Sequence, residues 1–162
     1  MPEDNSKYEQ FLGGLRLISI GLKSCSASLD RQALFKLLDD KNGPMRIFRD
    51  SYKTTHLGTN FFEASGAFVV RVQESPESRP AVLVECEFEA HLHGPEPISK
   101  ESVERFVDSD FRLLLVPYAR QFVSATTAQM SIPPLMIPLS VGSSKESIVR
   151  TKRPRKTHAK DR

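Results

Sequence analysis

The sequence predicts an α+β domain: a four-stranded antiparallel sheet with helices covering one face. Three observations carry that expectation. Residues 81–93 alternate, with Val82, Val84, Cys86, Phe88, Ala90 and Leu92 on one side and Glu85, Glu87, Glu89, His91 and His93 on the other. One face is therefore buried and the other meets water. Four β-patterned segments come first, and capped helical segments follow only after the last of them. Short turns between neighbouring strands favour an antiparallel meander, apart from a longer crossing after the first strand.

Taken in order, residues 1–13 are polar with little periodicity and read as a flexible N-terminal arm. Residues 15–28 form the first strand, with Ile18, Ile20 and Leu22 on one face and Ser19, Gly21 and Lys23 on the other. Residues 30–40 hold Leu34, Phe35, Leu37 and Leu38, which suit either a short amphipathic helical turn or a crossing loop. Asn42-Gly43-Pro44 punctuates the chain. The second strand occupies 45–57, and Gly58-Thr59-Asn60 turns it into the third, 61–74. There Phe62, Ala64, Gly66, Phe68, Val70 and Val72 share one face. A turn over 75–80 leads into the fourth strand.

Past Gly94-Pro95, Ser99 is a good cap for a short helix, with Glu101 and Glu104 near its positive end. Asp108-Ser109-Asp110 offers a second cap, opening a longer helix from about 111 to 130. Pro117 lies inside it and predicts a kink or irregular first turns. Leu114, Tyr118, Phe122 and Ala125 fall on one stripe, widened by Leu115 and Val123. Tyr118, Phe122 and Ala125 are assigned to oligomer or helix packing.

Composition bounds the function. At 39% hydrophobic and 27% charged residues the chain is of the soluble globular type. Apolar runs such as 113–116 fall far short of the roughly 20 residues of a membrane span. The polar, acidic start carries no secretory signal. Cys25 and Cys86 make neither a disulfide framework nor a CxxC pair, so a cytoplasmic location is expected. No GxSxG, Walker or HExxH motif is present, so no enzyme and no cofactor are expected. His91 and His93 share a face with Glu89, but without a cysteine there they read as a solvated sheet edge, and no metal site is assigned.

From Gly142 onward, eight Lys or Arg face only Glu146 and Asp161, which puts +6 in the tail and leaves −3 of the total +3 for the body. Almost nothing apolar offsets ordering entropy there, so 142–162 reads as a disordered basic tail. It lacks interleaved aromatics and a reading helix, so sequence-specific nucleic-acid recognition is not expected.

The remaining feature is the segment after the long helix. It is too rich in proline for a helix and too apolar for an ordinary solvent loop. Such surface usually meets a partner subunit or an extended ligand. Met130, Ile132, Leu135, Met136, Ile137 and Leu139 are assigned to a client-binding groove, with Leu34, Phe35, Leu37 and Leu38 as a second wall. The alternative is that the loop caps its own subunit's core or an oligomer contact.

Val116-Pro117-Tyr118-Ala119-Arg120, followed by Ile132-Pro133-Pro134-Leu135-Met136-Ile137-Pro138, resembles the signature of the SecB export chaperone family. The resemblance spans residues 14–141, with strand matches at Arg16-Leu17-Ile18 and Val82-Leu83-Val84. It implies a chaperone domain that binds unfolded, extended polypeptides without ATP, and a homotetramer built as a dimer of dimers with helices between the sheets. It also implies a role in protein export and translocation or, as in SecB-like members of toxin–antitoxin systems, control of a labile antitoxin. Three features depart from the pattern. No Asp or Glu occurs between Glu9 and Asp30, where the family's translocase-binding acids lie; the tail is basic, not acidic; and there is no tryptophan. Binding to the translocase motor is left open. A small module binding acidic partners or nucleic acid through its tail is the alternative from another class.

Overall fold

The computed structural model describes residues 3–138 and 146–150. Along the chain these form α1 (Glu3–Gly14), β1 (Arg16–Leu29), α2 (Arg31–Asp39), β2 (Met45–Leu57), β3 (Phe61–Gln73), β4 (Val82–His93), α3 (Lys100–Ser109), α4 (Phe111–Gln129) and β5 (Glu146–Arg150). The sheet order is β1-β4-β3-β2-β5 and every pairing is antiparallel. Strands β2, β3 and β4 form the meander, and β1 flanks β4 after the crossing through α2. The α+β architecture, with the four expected antiparallel strands and helices on one face, is that of the sequence expectation, and β5 adds a fifth strand beside β2.

The alternation of β3 and β4 creates the core. Phe62, Ala64, Phe68, Val70 and Val72 of β3 are buried together with Val82, Val84, Cys86, Phe88, Ala90 and Leu92 of β4. Helix α4 covers this face with Phe111, Leu115, Ala119, Val123 and Thr127, all at 0% exposure. These residues repeat every four positions, so they form one ridge along the helix. That ridge lies one residue over from the expected stripe. Of the residues assigned to packing, Tyr118 is 42% exposed, Phe122 is half-buried and Ala125 is exposed. Tyr118 and Phe122 rest against Phe88, with ring centroids 6.4 and 6.3 Å away.

Both predicted caps mark real helix starts, but only one acts through its side chain. Ser99 Oγ accepts from the Ser102 amide at 3.4 Å. Asp110 makes no side-chain cap bond to α4; its carboxylate accepts instead from the Tyr8 and Ser109 hydroxyls. Asp30 caps α2 through the Ala33 amide at 3.0 Å, which resolves the 30–40 stretch as a helix. Pro117 sits within a continuous helix.

Two expectations are corrected. The N-terminal stretch is helix α1, not a loose arm. Tyr8 and Phe11 are buried, with Leu12 and Leu15 packed partly against the core. Phe11 stacks on Phe62 at 6.4 Å and meets Phe106 edge-on, while the Arg105 guanidinium lies 4.0 Å over the Tyr8 ring. The spacing 8, 11, 12, 15 is itself helical, so the signal was present within a polar background. Part of the expected disordered tail is also ordered: 146–150 pairs with β2 from Met45 to Arg49. Backbone pairing at a sheet edge needs no apolar side chains, so composition could not reveal it. The remainder of the tail lies outside the described residues.

Strand β1 departs from simple alternation. Leu17 opposes Leu92 while Ser19 opposes His91, and Leu22 opposes Phe88 while Ser24 opposes Glu87. Ile18 and Lys23 are thus bulge residues. The bulges put Leu17, Ile20, Leu22, Cys25, Ala27 and Leu29 in line with the apolar row of β4. Ile18, predicted to share that face, falls out of phase.

Close approach of α4 to the sheet depends on Gly66. A Cβ there would lie 2.6 Å from Leu115 Cδ1 and 2.9 Å from the Tyr52 ring. Leu115 is fully buried, so moving its side chain aside would disturb the packing around it. Gly66→Ala is expected to cost about 1–3 kcal/mol of stability through overpacking. Combining it with Leu115→Ala should give a loss smaller than the sum of the two single losses, measured by denaturant unfolding. Strict additivity would show that the contact is not the cause.

Candidate client-binding loop

Helix α4 ends in a Schellman motif. The Ser131 amide donates to the Ala128 carbonyl and the Ile132 amide to the Thr127 carbonyl, with Ser131 at φ 60°. This left-handed position usually holds glycine, so serine carries some strain there. Met130, whose carbonyl would otherwise be left over at the helix end, accepts from the Arg31 guanidinium at 3.1 Å. That bond brings the start of α2 to the start of the loop and places a cation at the negative end of α4.

Thr127 then fixes the course of the loop. Its hydroxyl donates to the Val123 carbonyl at 2.8 Å and accepts from the Leu135 amide at 3.0 Å. One buried side chain therefore satisfies a loop amide that no strand or helix could serve. Leu135 and Ile137 are both buried in the core cluster. Ile137 and Pro138 line a shallow pit with Phe48, Asp50, Phe68 and Arg112. Across it, Arg112 Nε lies 2.9 Å from Asp50 Oδ2, and the Tyr52 hydroxyl donates to the same carboxylate oxygen at 3.0 Å. Burial, reinforced by the Asp50 charge, holds the Tyr52 phenol far above its ordinary range, so it remains a neutral donor.

The residues assigned to the groove therefore divide. Leu37, Leu135 and Ile137 are buried, and in this structure they pack rather than line a surface. Successive residues of an extended segment point opposite ways, so Met136, between two anchors, is 50% exposed. Phe35 is 63% exposed on α2, and Leu38, three residues on in the same helix, is also exposed. Leu34, Met130 and Ile132 are half-buried against the core. Leu139 lies outside the described residues. Pro133 and Pro134 are exposed. Sequence reasoning had no signal for Thr127 as the anchor, since a threonine among small residues reads as filler. It also missed Arg31, whose partner lies 99 residues away.

The opposite face of the sheet is acidic and paired. Lys23 Nζ lies 3.0 Å from Glu89 and 3.8 Å from Glu87, Lys53 is 3.8 Å from Glu87, and His91 Nδ1 is 3.1 Å from Glu63. Such solvated pairs add little stability. Among the described residues no group of three or more His, Cys, Asp or Glu is arranged to hold a metal ion, and no helix is long and apolar enough to cross a membrane.

Two substitutions test the loop geometry. Thr127→Val leaves the buried Leu135 amide unpaired and should cost about 1–3 kcal/mol, with faster hydrogen exchange at Leu135. An unchanged exchange rate would mean that the loop is held by packing alone. Ser131→Gly should instead stabilise by roughly 0.5–1 kcal/mol in denaturant unfolding, by relieving the left-handed serine.

No protein-family model and no curated protein matches this chain. Among solved structures it is similar to Mycobacterium tuberculosis Rv1957, a SecB-like chaperone solved in complex with a ChAD peptide from the Rv1956 HigA1 antitoxin. That match has a TM-score of 0.64 at 16% identity and covers 85% of this chain and 99% of the other. A protein of unknown function from Streptococcus agalactiae matches with a TM-score of 0.41 at 9% identity, covering 77% of this chain and 97% of the other. The chain has a SecB-like fold.

Proposed function

We propose that the protein is an ATP-independent chaperone, a non-enzymatic holdase of the cytoplasm that binds extended apolar segments of non-native polypeptides. The observation that carries this reading is that Phe35 and Leu38 of α2 and Met136, within a proline-interrupted backbone, are apolar and exposed on a SecB-like fold. Residues 133–138 form no helix or strand, so apart from the Leu135 amide held by Thr127 their backbone lies outside any regular ladder, as suits a segment that meets an extended client. Met136 and Met130 bring flexible side chains that adapt to many sequences. Buried Leu135 and Ile137 hold Met136 outward instead of touching the client.

The protein acts as a homotetramer in this reading. Support comes from apolar side chains left exposed on β1 and α4: Leu17, Ile18, Leu22, Leu113 and Tyr118. Association through these elements would place helices between sheets. Control of an antitoxin is the second reading. It is favoured by the antitoxin peptide held by the mycobacterial neighbour and by the absence of acids on β1. An export role would instead require a translocase contact made without those acids.

Suppression of aggregation of a reduced, unfolded model protein tests the proposal. The wild type should protect, and Met136→Asp and Phe35→Asp should each weaken client binding by about tenfold or more, given roughly 1.5–3 kcal/mol per buried apolar side chain. Equal protection by both variants, with native mass unchanged, would remove the assigned site. A monodisperse monomer in native mass measurement would remove the tetramer. Copurified clients separate the roles: secretory precursors for export, one small antitoxin for the alternative. Loss of all binding on deletion of residues 151–162 would favour a tail-driven interaction module.

A further inference from the structure

The chain has two cysteines, and the sheet register sets them directly opposite one another across β1 and β4, Cys25 against Cys86. Opposed residues of an antiparallel pair have Cα atoms about 4.5–5.5 Å apart and side chains on the same face. That separation falls within the roughly 4.4–6.8 Å spanned by disulfides. The neighbouring register is fixed by a side-chain bond, Ser26 Oγ donating to Glu85 at 3.0 Å. The Lys23 bulge, two residues before Cys25, brings Cys25 rather than Ser24 into the apolar row. Cys25 is exposed and Cys86 is buried.

We propose that Cys25 and Cys86 are a redox-responsive pair that closes a cross-strand disulfide and ties the edge strand β1 to β4. Nothing in this inference rests on the chaperone reading. With a peroxide as oxidant, the Cys25 thiol gives up its proton, the thiolate attacks one oxygen and the O–O bond breaks, giving a sulfenic acid and a hydroxide that takes up that proton as water. Cys86 then attacks the Cys25 sulfur, loses its proton and expels the second water. The two thiols give up two electrons to the peroxide. Exposure makes Cys25 the first nucleophile. Burial, and then the neighbouring Cys25, push the Cys86 thiol up to about 12, so it is protonated at neutral pH and resolves the intermediate slowly.

Strand β1 makes the bond consequential. Among the described residues it pairs with β4 alone, and along most of its length its side chains are exposed. Its hold on the sheet is mainly the backbone ladder, which frays more readily than a packed strand. A disulfide would join it covalently within a segment closed over β2 and β3.

The test oxidises the full-length protein with hydrogen peroxide and examines it without reductant. The expected result is a single-chain product that has lost two hydrogens and yields a peptide joining Cys25 to Cys86. Hydrogen exchange in β1 should slow, and the melting temperature should rise by roughly 5–15 °C, reversibly with dithiothreitol. In Cys86→Ala, dimedone should trap a stable sulfenic acid on Cys25. Cys25→Ser should show neither product. Chain-to-chain dimers through Cys25, oxidation stopping at Cys25 in the wild type, or both thiols persisting would each overturn the proposal.

Discussion

A sheet that is apolar on one face and charged on the other cannot stand alone in water, and in this protein the α4 ridge answers that constraint. Phe111, Leu115, Ala119, Val123 and Thr127 repeat every four residues and are fully buried against the sheet. Around Leu115 the contact is close enough that Gly66 has no room for a side chain. Helices α3 and α1 extend the cover with Phe106 and Phe11, which meet the β3 residue Phe62. Once this cover is in place, the position of the loop that leaves α4 is largely determined.

The loop illustrates how stability and binding are separated within a few residues. Thr127 accepts the Leu135 amide, and Leu135 and Ile137 enter the core. Extended geometry then leaves Met136 facing out. A segment that must present apolar atoms to another molecule is thus held by its alternate residues rather than by secondary structure. The Arg31 bond to Met130 joins α2 to the same place, and α2 contributes Phe35 in an exposed position.

The margin beyond α4 is differently built. Strand β1 extends the sheet mainly by its backbone ladder, and its apolar row continues that of β4 toward solvent. Two bulges keep the row in phase, and the same bulges set the two cysteines opposite one another. On the far face Lys23, itself a bulge residue, reaches Glu87 and Glu89. Strand β1 is therefore where register, surface charge and thiol chemistry meet.

The sequence by itself determined the four main strands, the antiparallel meander and the starts of α3 and α4, because alternation, turn residues and caps are local signals. The boundaries of β2 were legible to the residue, the start of α4 was legible from the cap residues before it, and Ser99 acts as the cap it resembles. It also picked out the loop as unusual, since proline and apolar residues together suit neither helix nor solvent. Tertiary structure alone decided which loop residues are buried, because the Thr127 hydroxyl and Leu135 amide meet only once α4 has ended and the chain has turned back. It alone decided the phase of β1, since a bulge is set by the partner strand. The docking of α1 depends on an aromatic pocket formed by residues far along the chain, Phe62 and Phe106. Periodicity can name an amphipathic face, but what that face touches depends on contacts between segments that the chain brings together only on folding.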